Sequence, residues 1–195
     1  MIVFRQILSL ASAIVFLIAF VPYIVAIVRR QSKPPFFTWA LWAALDIVTL
    51  VAMISQGASH IWLFVAAIFG ASTVALLALK YGERSFSRVN ISCTVLVTIA
   101  IICKISGAGM MSLAAGLVGL IIAGIPMAVN AWKDPTSEDR NSWILFAISS
   151  WMAMAAANLD ILGDMLPPLT FLLIDSLILT IVLFRPKRAN VIVNV

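Results

Sequence analysis

The stretch Pro22-Tyr-Ile-Val-Ala-Ile-Val-Arg-Arg30, with the Thr38-Trp-Ala-Leu-Trp-Ala43 segment that follows it, occurs twice in this chain. The second version reads Pro126-Met-Ala-Val-Asn-Ala-Trp-Lys-Asp134, followed by Ser142-Trp-Ile-Leu-Phe-Ala147. The prolines and the first tryptophans of the two versions are each 104 residues apart (126 − 22 and 143 − 39), without a gap. A proline, a tryptophan and a basic loop start that agree in one frame indicate an internal duplication.

The composition predicts a membrane protein. Hydrophobic residues make up 63% of the 195 residues and charged residues only 11%, whereas soluble domains carry about 25% charged residues. An apolar run of about 20 residues spans the hydrocarbon core as a helix. The runs are continuous rather than alternating, which excludes a β-barrel, and the first is too long for a signal peptide. Seven such helices are predicted, at 7–28, 38–56, 60–81, 89–105, 109–132, 142–162 and 166–185.

The basic residues predict the orientation of these helices. Eleven of the thirteen Lys and Arg residues follow the first, third, fifth or seventh run, and Arg5 and Lys104 fall on the other side. By the positive-inside rule the N-terminus is outside and the C-terminus is cytoplasmic. The net charge of +5 therefore reflects topology, and no nucleic-acid partner is predicted. The eleven residues are Arg29, Arg30, Lys33, Lys80, Arg84, Arg88, Lys133, Arg140, Arg185, Lys187 and Arg188.

The duplication and the topology predict one architecture, an all-α membrane protein with two parallel three-helix bundles. Three crossings invert the chain, so a linker helix is needed to give the second bundle the sidedness of the first. Such parallel repeats are related by an axis along the membrane normal. The predicted divisions are 1–88 for the first bundle, 89–106 for the linker helix, 107–188 for the second bundle and 189–195 for a cytoplasmic tail.

Two acidic residues inside the predicted helices are the sharpest functional signal. Asp46 and Asp175 each lie about 12 Å from the helix start, near the middle of a core about 30 Å thick. An ionisable group there is costly unless it faces a cavity or finds a partner, and no Lys or Arg lies at that depth. Both are predicted to bind substrate or to couple transport to protons. The alternative is a neutral carboxyl that hydrogen-bonds to a neighbouring helix.

Other polar residues in the predicted helices are candidates for lining a binding site. In the 104-residue frame Asp46 aligns with Ser150, and Ser72 aligns with Ser176. Equivalent polar positions at mid-membrane fit a binding site between two repeats, although Ser and Thr often bond to their own helix. The substrate-binding candidates are Asp46, Ser72, Thr73, Asn130, Ser150, Asn158, Asp175 and Ser176.

Prolines and tryptophans mark predicted hinges and boundaries. Pro22 and Pro126 lie at equivalent places in the first and fifth helices, and a membrane proline kinks its helix. We expect them to act as gating hinges. Trp42 and Trp151 are predicted to lie deep enough to line a pocket. The tryptophans expected to anchor the protein at the membrane interface are Trp39, Trp62, Trp132 and Trp143.

The remaining reactive residues are expected to have structural roles. Cys93 and Cys103 lie on one predicted helix about 15 Å apart, too far for a disulfide. His60 is predicted to be a boundary residue at the outer start of the third helix. Asp160 and Asp164 are expected to be solvated at the outer end of the sixth.

Enzyme functions are not expected. A rhomboid-like protease needs a Gly-x-Ser-Gly nucleophile and a membrane histidine, and the sequence has neither. Retinal binding needs a lysine inside the last helix, and the last predicted helix has none before its basic end. A single histidine excludes most metal chemistry, and no glycine-rich phosphate loop occurs. No catalytic residue, metal or cofactor is predicted.

The chain resembles the PQ-loop superfamily, in its seven-helix SWEET-type arrangement. The resemblance rests on Pro22 through Arg29-Arg30 to Trp39, on Pro126 through Lys133 to Trp143, and on the 3+1+3 helices. It implies transport of small solutes (sugars, amino acids or vitamins) by alternating access between the bundles. Tyr23 and Met127 stand where the family has glutamine. Ser72 and Asp175-Ser176 replace the paired asparagines of sugar transporters, and the mid-membrane Asp is similar to the proton-coupled branch.

The sequence therefore predicts a multi-pass transporter of the plasma membrane or bacterial inner membrane, with a small solute and the lipid bilayer as its partners. A non-transporting receptor or assembly factor of the same fold is the alternative. The small residues Ala115, Gly119 and Ala123 follow a spacing that lets helices approach closely. They fit packing within the monomer and a homo-oligomer equally well.

Overall fold

Seven α-helices form the part of the chain that the computed structural model describes, residues 2–84 and 88–185. A short 3-10 helix, Pro135–Ser137, precedes the sixth. The predicted all-helical class is confirmed for these residues. The helices are α1 (Ile2–Val28), α2 (Phe36–Ser55), α3 (Trp62–Tyr81), α4 (Arg88–Ile105), α5 (Gly109–Lys133), α6 (Arg140–Ala156) and α7 (Leu162–Phe184).

Five of the helices, α1, α2, α3, α5 and α7, are long and apolar enough to cross a membrane. The apolar part of α4, Asn90–Ile105, is shorter, and α6 has 17 residues. A span needs about 20 residues. The helices thus have the length and composition of a membrane protein. That all seven cross the bilayer stays a prediction.

The boundary between the last two helices differs from the prediction. The sixth helix was expected to run to residue 162, but α6 ends at Ala156 and α7 begins at Leu162. The reason is a turn at Asn158, whose side-chain oxygen accepts a hydrogen bond from the Asp160 N–H at 3.2 Å. Asn and Asp side chains favour turns by bonding the backbone two residues on. Asn158 and Asp160 therefore lie outside the helices.

The packing of the helices repeats itself. In the 104-residue frame α1, α2 and α3 correspond to α5, α6 and α7. The pairs α1–α3 and α2–α3 pack together, and so do their counterparts α5–α7 and α6–α7. The pair α1–α6 is matched in the same way by α5–α2. The helix α4 packs on α5 and α2. The main contacts of the first three helices are thus reproduced by the last three.

Small residues allow α5 to lie close against α2. A Cβ added at Gly116 would lie 2.5 Å from Thr49 Oγ1, and one at Gly119 would lie 2.5 Å from Leu45 Cδ2. Both distances are shorter than the non-bonded contacts that Cβ atoms make in proteins. Of the two uses predicted for the small residues of this helix, Gly119 serves packing within the chain.

The connecting segments gather at two ends of the helices. At one end the Phe36 N–H donates to the Glu83 carbonyl at 2.8 Å, which ties segment 29–35 to segment 82–84. Segment 134–139 lies at the same end, and we call it the basic end because most of the described Lys and Arg residues lie there. Segments 56–61, 106–108 and 157–161 lie at the other end, which we call the opposite end.

Candidate functional site

A small cavity lies between the two sets of three helices. Its volume is about 40 Å³, enough for two or three water molecules. Its lining comes from α1, α2 and α3 and from their counterparts α5, α6 and α7. The lining residues are Phe16, Phe20, Trp39, Trp42, Asp46, Ala67, Ala71, Leu120, Trp143, Phe146, Phe171, Ile174 and Asp175.

Ten of these thirteen residues form five pairs of equivalent positions. Each pair is separated by 104 residues, so the two copies face the cavity with corresponding side chains. A cavity lined in this way lies where the two copies meet, on the axis that relates them. The pairs are Phe16 with Leu120, Trp39 with Trp143, Trp42 with Phe146, Ala67 with Phe171, and Ala71 with Asp175.

The two predicted acids both reach this cavity. Asp46 is 2% exposed and Asp175 is 5% exposed. Ser150, on α6, donates a hydrogen bond from its hydroxyl to Asp175 Oδ2 at 2.5 Å. Among the residues that the structure describes, Asp46 Oδ1 has no hydrogen-bond partner. The structure therefore brings together three of the predicted residues and leaves one buried carboxyl oxygen free to bind a proton or a polar group of a solute.

The other predicted binding residues lie elsewhere. Ser72 and Ser176 are outside the lining of the cavity, and the Thr73 hydroxyl donates to its own helix at the Phe69 carbonyl. Asn130 lines a separate space at the basic end. Asn158 lies in the turn between α6 and α7. Pro22 and Pro126 lie inside α1 and α5, which continue to Val28 and Lys133.

The tryptophans differ most from the expectation. Trp39 and Trp143 were expected at the membrane interface, but they are 3% and 2% exposed and line the cavity. Their rings pack on other cavity aromatics: Trp39 lies 5.0 Å from Trp42 and Trp143 lies 5.5 Å from Phe146 between ring centroids. Trp151, expected in a pocket, is 62% exposed. Proximity to a helix start misled the prediction, because the rings of Trp39 and Trp143 pack into the core.

Trp42 lines the cavity as predicted. Its indole Nε1 donates to the Leu120 carbonyl of α5 at 3.3 Å, a contact between the first and second copies. The other two tryptophans, Trp62 and Trp132, are both exposed. The guanidinium of Arg185 lies 3.9 Å from the Trp132 ring centroid, a cation–π contact at the basic end.

A buried pair, His60 and Asp164, lies at the opposite end. Asp164 was expected to be solvated, yet it is 0% exposed. Its Oδ2 lies 2.5 Å from His60 Nδ1, and it accepts hydrogen bonds from the backbone N–H groups of Ser59, His60 and Asn158 at 3.2, 3.0 and 2.8 Å. One carboxylate thus ties segment 56–61 to the start of α7. His60 and Asp164 are 104 residues apart, a spacing that could have revealed the pair.

The basic end contains a larger polar space, which we call the vestibule. Its volume is about 460 Å³, within the range of small-molecule sites. The first and second copies again contribute equivalent positions: Arg30 with Asp134, Ser32 with Thr136, and Pro34 with Glu138. The remaining lining residues are Gln31, Lys33, Pro35, Glu83, Asn130 and Lys133.

Two acids of the basic end have shifted pKa values. Burial raises the pKa of Glu138 from 4.5 to about 7, although a hydrogen bond from Trp143 opposes the shift. The Trp143 Nε1 donates to Glu138 Oε2 at 3.0 Å. Hydrogen bonds from the Thr136 hydroxyl and backbone N–H lower the pKa of Asp134. The ring of Trp143 lines the central cavity, and its Nε1 bonds to Glu138, which lines the vestibule. Trp143 therefore lies between the two spaces.

The described residues include no cluster of three or more His, Cys, Asp or Glu side chains that could hold a metal. Cys93 and Cys103 are both free thiols, as their spacing predicted.

Comparisons with protein-family models, with curated proteins and with solved structures gave no match for this chain. The likeness to the PQ-loop superfamily therefore rests on the sequence motifs alone.

Proposed function

We propose that this protein transports a small solute across a membrane by alternating access between two three-helix bundles. The observation that carries the proposal is the central cavity, which five pairs of equivalent residues line and into which Asp46 and Asp175 project. A site on the axis between two copies can be exposed to either side by a rocking motion of one copy against the other. An acid-containing cavity has no evident purpose in a purely structural helix bundle.

The helix packing supports the architecture on which this mechanism depends. Contacts of α1, α2 and α3 recur in α5, α6 and α7, and α4 lies outside this scheme as the linker. We infer seven crossings in a 3+1+3 arrangement of the SWEET-like type, with bundles at 1–88 and 107–188. Lys and Arg at the basic end favour a cytoplasmic location for that end, in a plasma or bacterial inner membrane.

The conformation described here corresponds to a closed state of such a transporter. The His60–Asp164 pair closes the opposite end, and Trp39 and Trp143 separate the cavity from the vestibule. A cavity of about 40 Å³ is far below the 300–1,000 Å³ of typical ligand pockets. The helices must move to admit a sugar, an amino acid or a vitamin. Pro22 and Pro126 supply equivalent hinge positions for that movement.

The acids define what the site can bind. The free Oδ1 of Asp46 can take a proton or accept a hydrogen bond from a solute. Asp175 is already bonded to Ser150, so it is the better-satisfied member of the pair. We assign proton coupling first to Asp46 and solute contact to both.

The test is uptake into proteoliposomes of a mixed pool of sugars, amino acids and vitamins, with and without a proton gradient. We expect gradient-dependent accumulation of one solute, and a loss of at least about tenfold in uptake for Asp46→Asn. Asp160→Asn is the matched control, because Asp160 is exposed and lies outside the cavity. Uptake that Asp46→Asn leaves unchanged would remove the proposed role of Asp46. No flux of any solute by folded protein would favour the receptor alternative.

A further inference from the structure

Glu138 lies between the vestibule and the central cavity. Its side chain lines the vestibule and accepts the hydrogen bond from Trp143 Nε1. Trp143 is 2% exposed, and its ring forms part of the cavity wall with Trp39. Any change in the position of this carboxyl is therefore transmitted to the layer that separates the two spaces.

Only the second copy has an acid at this position. Its equivalent in the first copy is Pro34, and the Nε1 of Trp39 consequently has no hydrogen-bond partner. The hydroxyl of Tyr23 is also buried, and its ring lies 5.3 Å from that of Trp39 between centroids. Tyr23 is close enough to Glu138 to favour its ionised form. The layer thus places the buried polar groups of Tyr23, Trp39 and Trp143 next to one carboxyl.

We propose that Glu138 is a proton-binding site that controls the basic end: with its proton bound the layer of Tyr23, Trp39 and Trp143 stays closed, and loss of the proton lets it open. This inference rests on the proposed function, because it assigns a regulatory proton to the same transport path. The regulatory proton binds at the basic end, at a place separate from Asp46 and Asp175.

The direction of the effect follows from linkage between proton binding and conformation. Burial in the closed layer disfavours the ionised carboxylate and raises the pKa of Glu138 from 4.5 to about 7. When the layer opens, more water reaches this half-buried carboxyl, and its pKa returns toward 4.5. The proton therefore binds the closed form more tightly. Its stabilisation of that form is complete below pH 4.5 and is lost as the pH rises through 7, with a change of up to about 300-fold in the open-to-closed ratio.

Charged groups surround this site on all sides that the structure describes. Asp139 precedes α6 and raises the pKa of Glu138, whereas the hydroxyl of Tyr23 on α1 lowers it. Glu138 also lines a second surface cavity, which it shares with Arg140 and Arg185. The other ionisable groups that line the vestibule are Arg30, Lys33, Glu83, Lys133 and Asp134.

The experiment is ¹⁹F NMR of the full chain in lipid nanodiscs, with every tryptophan replaced by 5-fluorotryptophan. The shift of each resonance between H₂O and D₂O reports contact of that ring with water. The Trp39 and Trp143 signals are assigned with Trp39→Phe and Trp143→Phe. We expect both to be protected from water at pH 5 and exposed at pH 9, with a midpoint between 5 and 7, because the conversion is centred between the pKa values of the open and closed forms. Trp39 is the decisive signal, since it makes no bond to Glu138 and a merely local change would leave it protected.

Glu138→Gln keeps an acceptor for Trp143 but cannot ionise, so both rings should remain protected at every pH. Glu83→Gln, which removes another acid of the vestibule, should retain the wild-type midpoint. Tyr23→Phe should move the midpoint to higher pH, because it removes a hydroxyl that favours ionised Glu138. A Trp39 signal that stays protected from pH 5 to 9, or that titrates unchanged in Glu138→Gln, would overturn the proposal. Because this readout needs no flux, a failure to transport leaves it intact.

Discussion

The two copies of the three-helix unit face the central cavity with the same geometry but with different chemistry. In the second copy, α7 supplies the acid Asp175 and α6 supplies the hydroxyl of Ser150, and the two form a hydrogen bond. In the first copy, α2 supplies the acid Asp46 at the position equivalent to Ser150. The position equivalent to Asp175 is Ala71, which has no polar side chain. Asp46 Oδ1 is accordingly left without a partner.

This difference separates a satisfied acid from an unsatisfied one in a single cavity. A buried polar group without a partner costs roughly 1–3 kcal/mol. Such a cost persists where a ligand supplies the missing bond during function, as at other strained or unsatisfied sites. The comparison therefore favours Asp46 over Asp175 for the proposed role of engaging a solute or a proton, because Ser150 already bonds to Asp175.

The largest effect is expected where the copies meet at the opposite end. Asp164→Ala should lower the free energy of unfolding by about 3–5 kcal/mol, because it removes the buried partner of His60 and leaves three backbone N–H groups without their acceptor. His60→Ala should cost clearly less, since Asp164 keeps its backbone bonds. The measurement is reversible unfolding in detergent micelles, followed by far-UV circular dichroism.

Asp160→Ala is the control, because Asp160 is exposed and close in sequence. We expect it to stay within about 0.5 kcal/mol of the wild type. Equal losses for Asp160→Ala and Asp164→Ala would show that Asp164 does not hold the end closed.

A medium effect on stability is expected at two equivalent positions where one copy has a large residue and the other copy has glycine. In the first copy, the ring of Phe20 packs on Gly70, where an added Cβ would lie 1.9 Å from Phe20 Cε2. In the second copy the sizes are reversed: Gly124 stands at the position of Phe20, and Ile174 at that of Gly70. A Cβ added at Gly124 would lie 3.5 Å from Ile174 Cγ2, an ordinary contact.

Gly70→Ala should therefore destabilise the protein by about 1–3 kcal/mol, the usual cost of overpacking. Gly124→Ala should be neutral or stabilising, because alanine favours a helix by up to about 1 kcal/mol over glycine. Thermal unfolding of both variants in the same micelles measures the difference. Similar unfolding midpoints for the two variants would contradict the inference that Gly70 is tightly packed and Gly124 is not.

Much of the fold follows from the sequence, because it depends on long apolar runs and on an ungapped repeat. The helices α2 to α5 begin and end within about two residues of their predicted bounds, whereas α1 begins at Ile2, earlier than the predicted residue 7. The boundary at Ala156 could not be predicted from hydropathy, since it depends on a side-chain turn at Asn158. Length and composition alone also leave the crossings of α4 and α6 undecided.

The site was only partly predictable for a related reason. Asp46 and Asp175 stood out because acids are rare in apolar runs. Asp164 was misplaced because its burial depends on segment 56–61 folding over it, a contact between residues 104 positions apart. Trp39 and Trp143 look like interface anchors in one dimension, and only the three-dimensional packing of both copies turns their rings into the cavity.

The last two predictions test the acids themselves. Ser150→Ala removes the donor to Asp175 and should lower the free energy of unfolding by about 1–3 kcal/mol, because it leaves a buried carboxyl unsatisfied. Such a variant makes Asp175 resemble the wild-type Asp46. Its unfolding in micelles, measured beside that of Ser149→Ala on the same helix, shows whether the loss belongs to this bond. Ser149 makes a separate contact, to the Ser12 carbonyl at 2.7 Å.

Ala71→Ser makes the reverse change, because it gives the first copy a hydroxyl at the position where the second copy has its acid. If Asp46 is the unsatisfied partner, the new hydroxyl should bond to it and raise the free energy of unfolding by about 1 kcal/mol. Uptake in proteoliposomes should fall in the same variant, because Asp46 would then be engaged before a solute or proton arrives. Ala67→Ser, one turn away on α3 and also facing the cavity, controls for the added oxygen. Greater stability without any loss of uptake would show that transport does not need the unpartnered oxygen of Asp46. Asp175 would then be the better candidate for the functional acid.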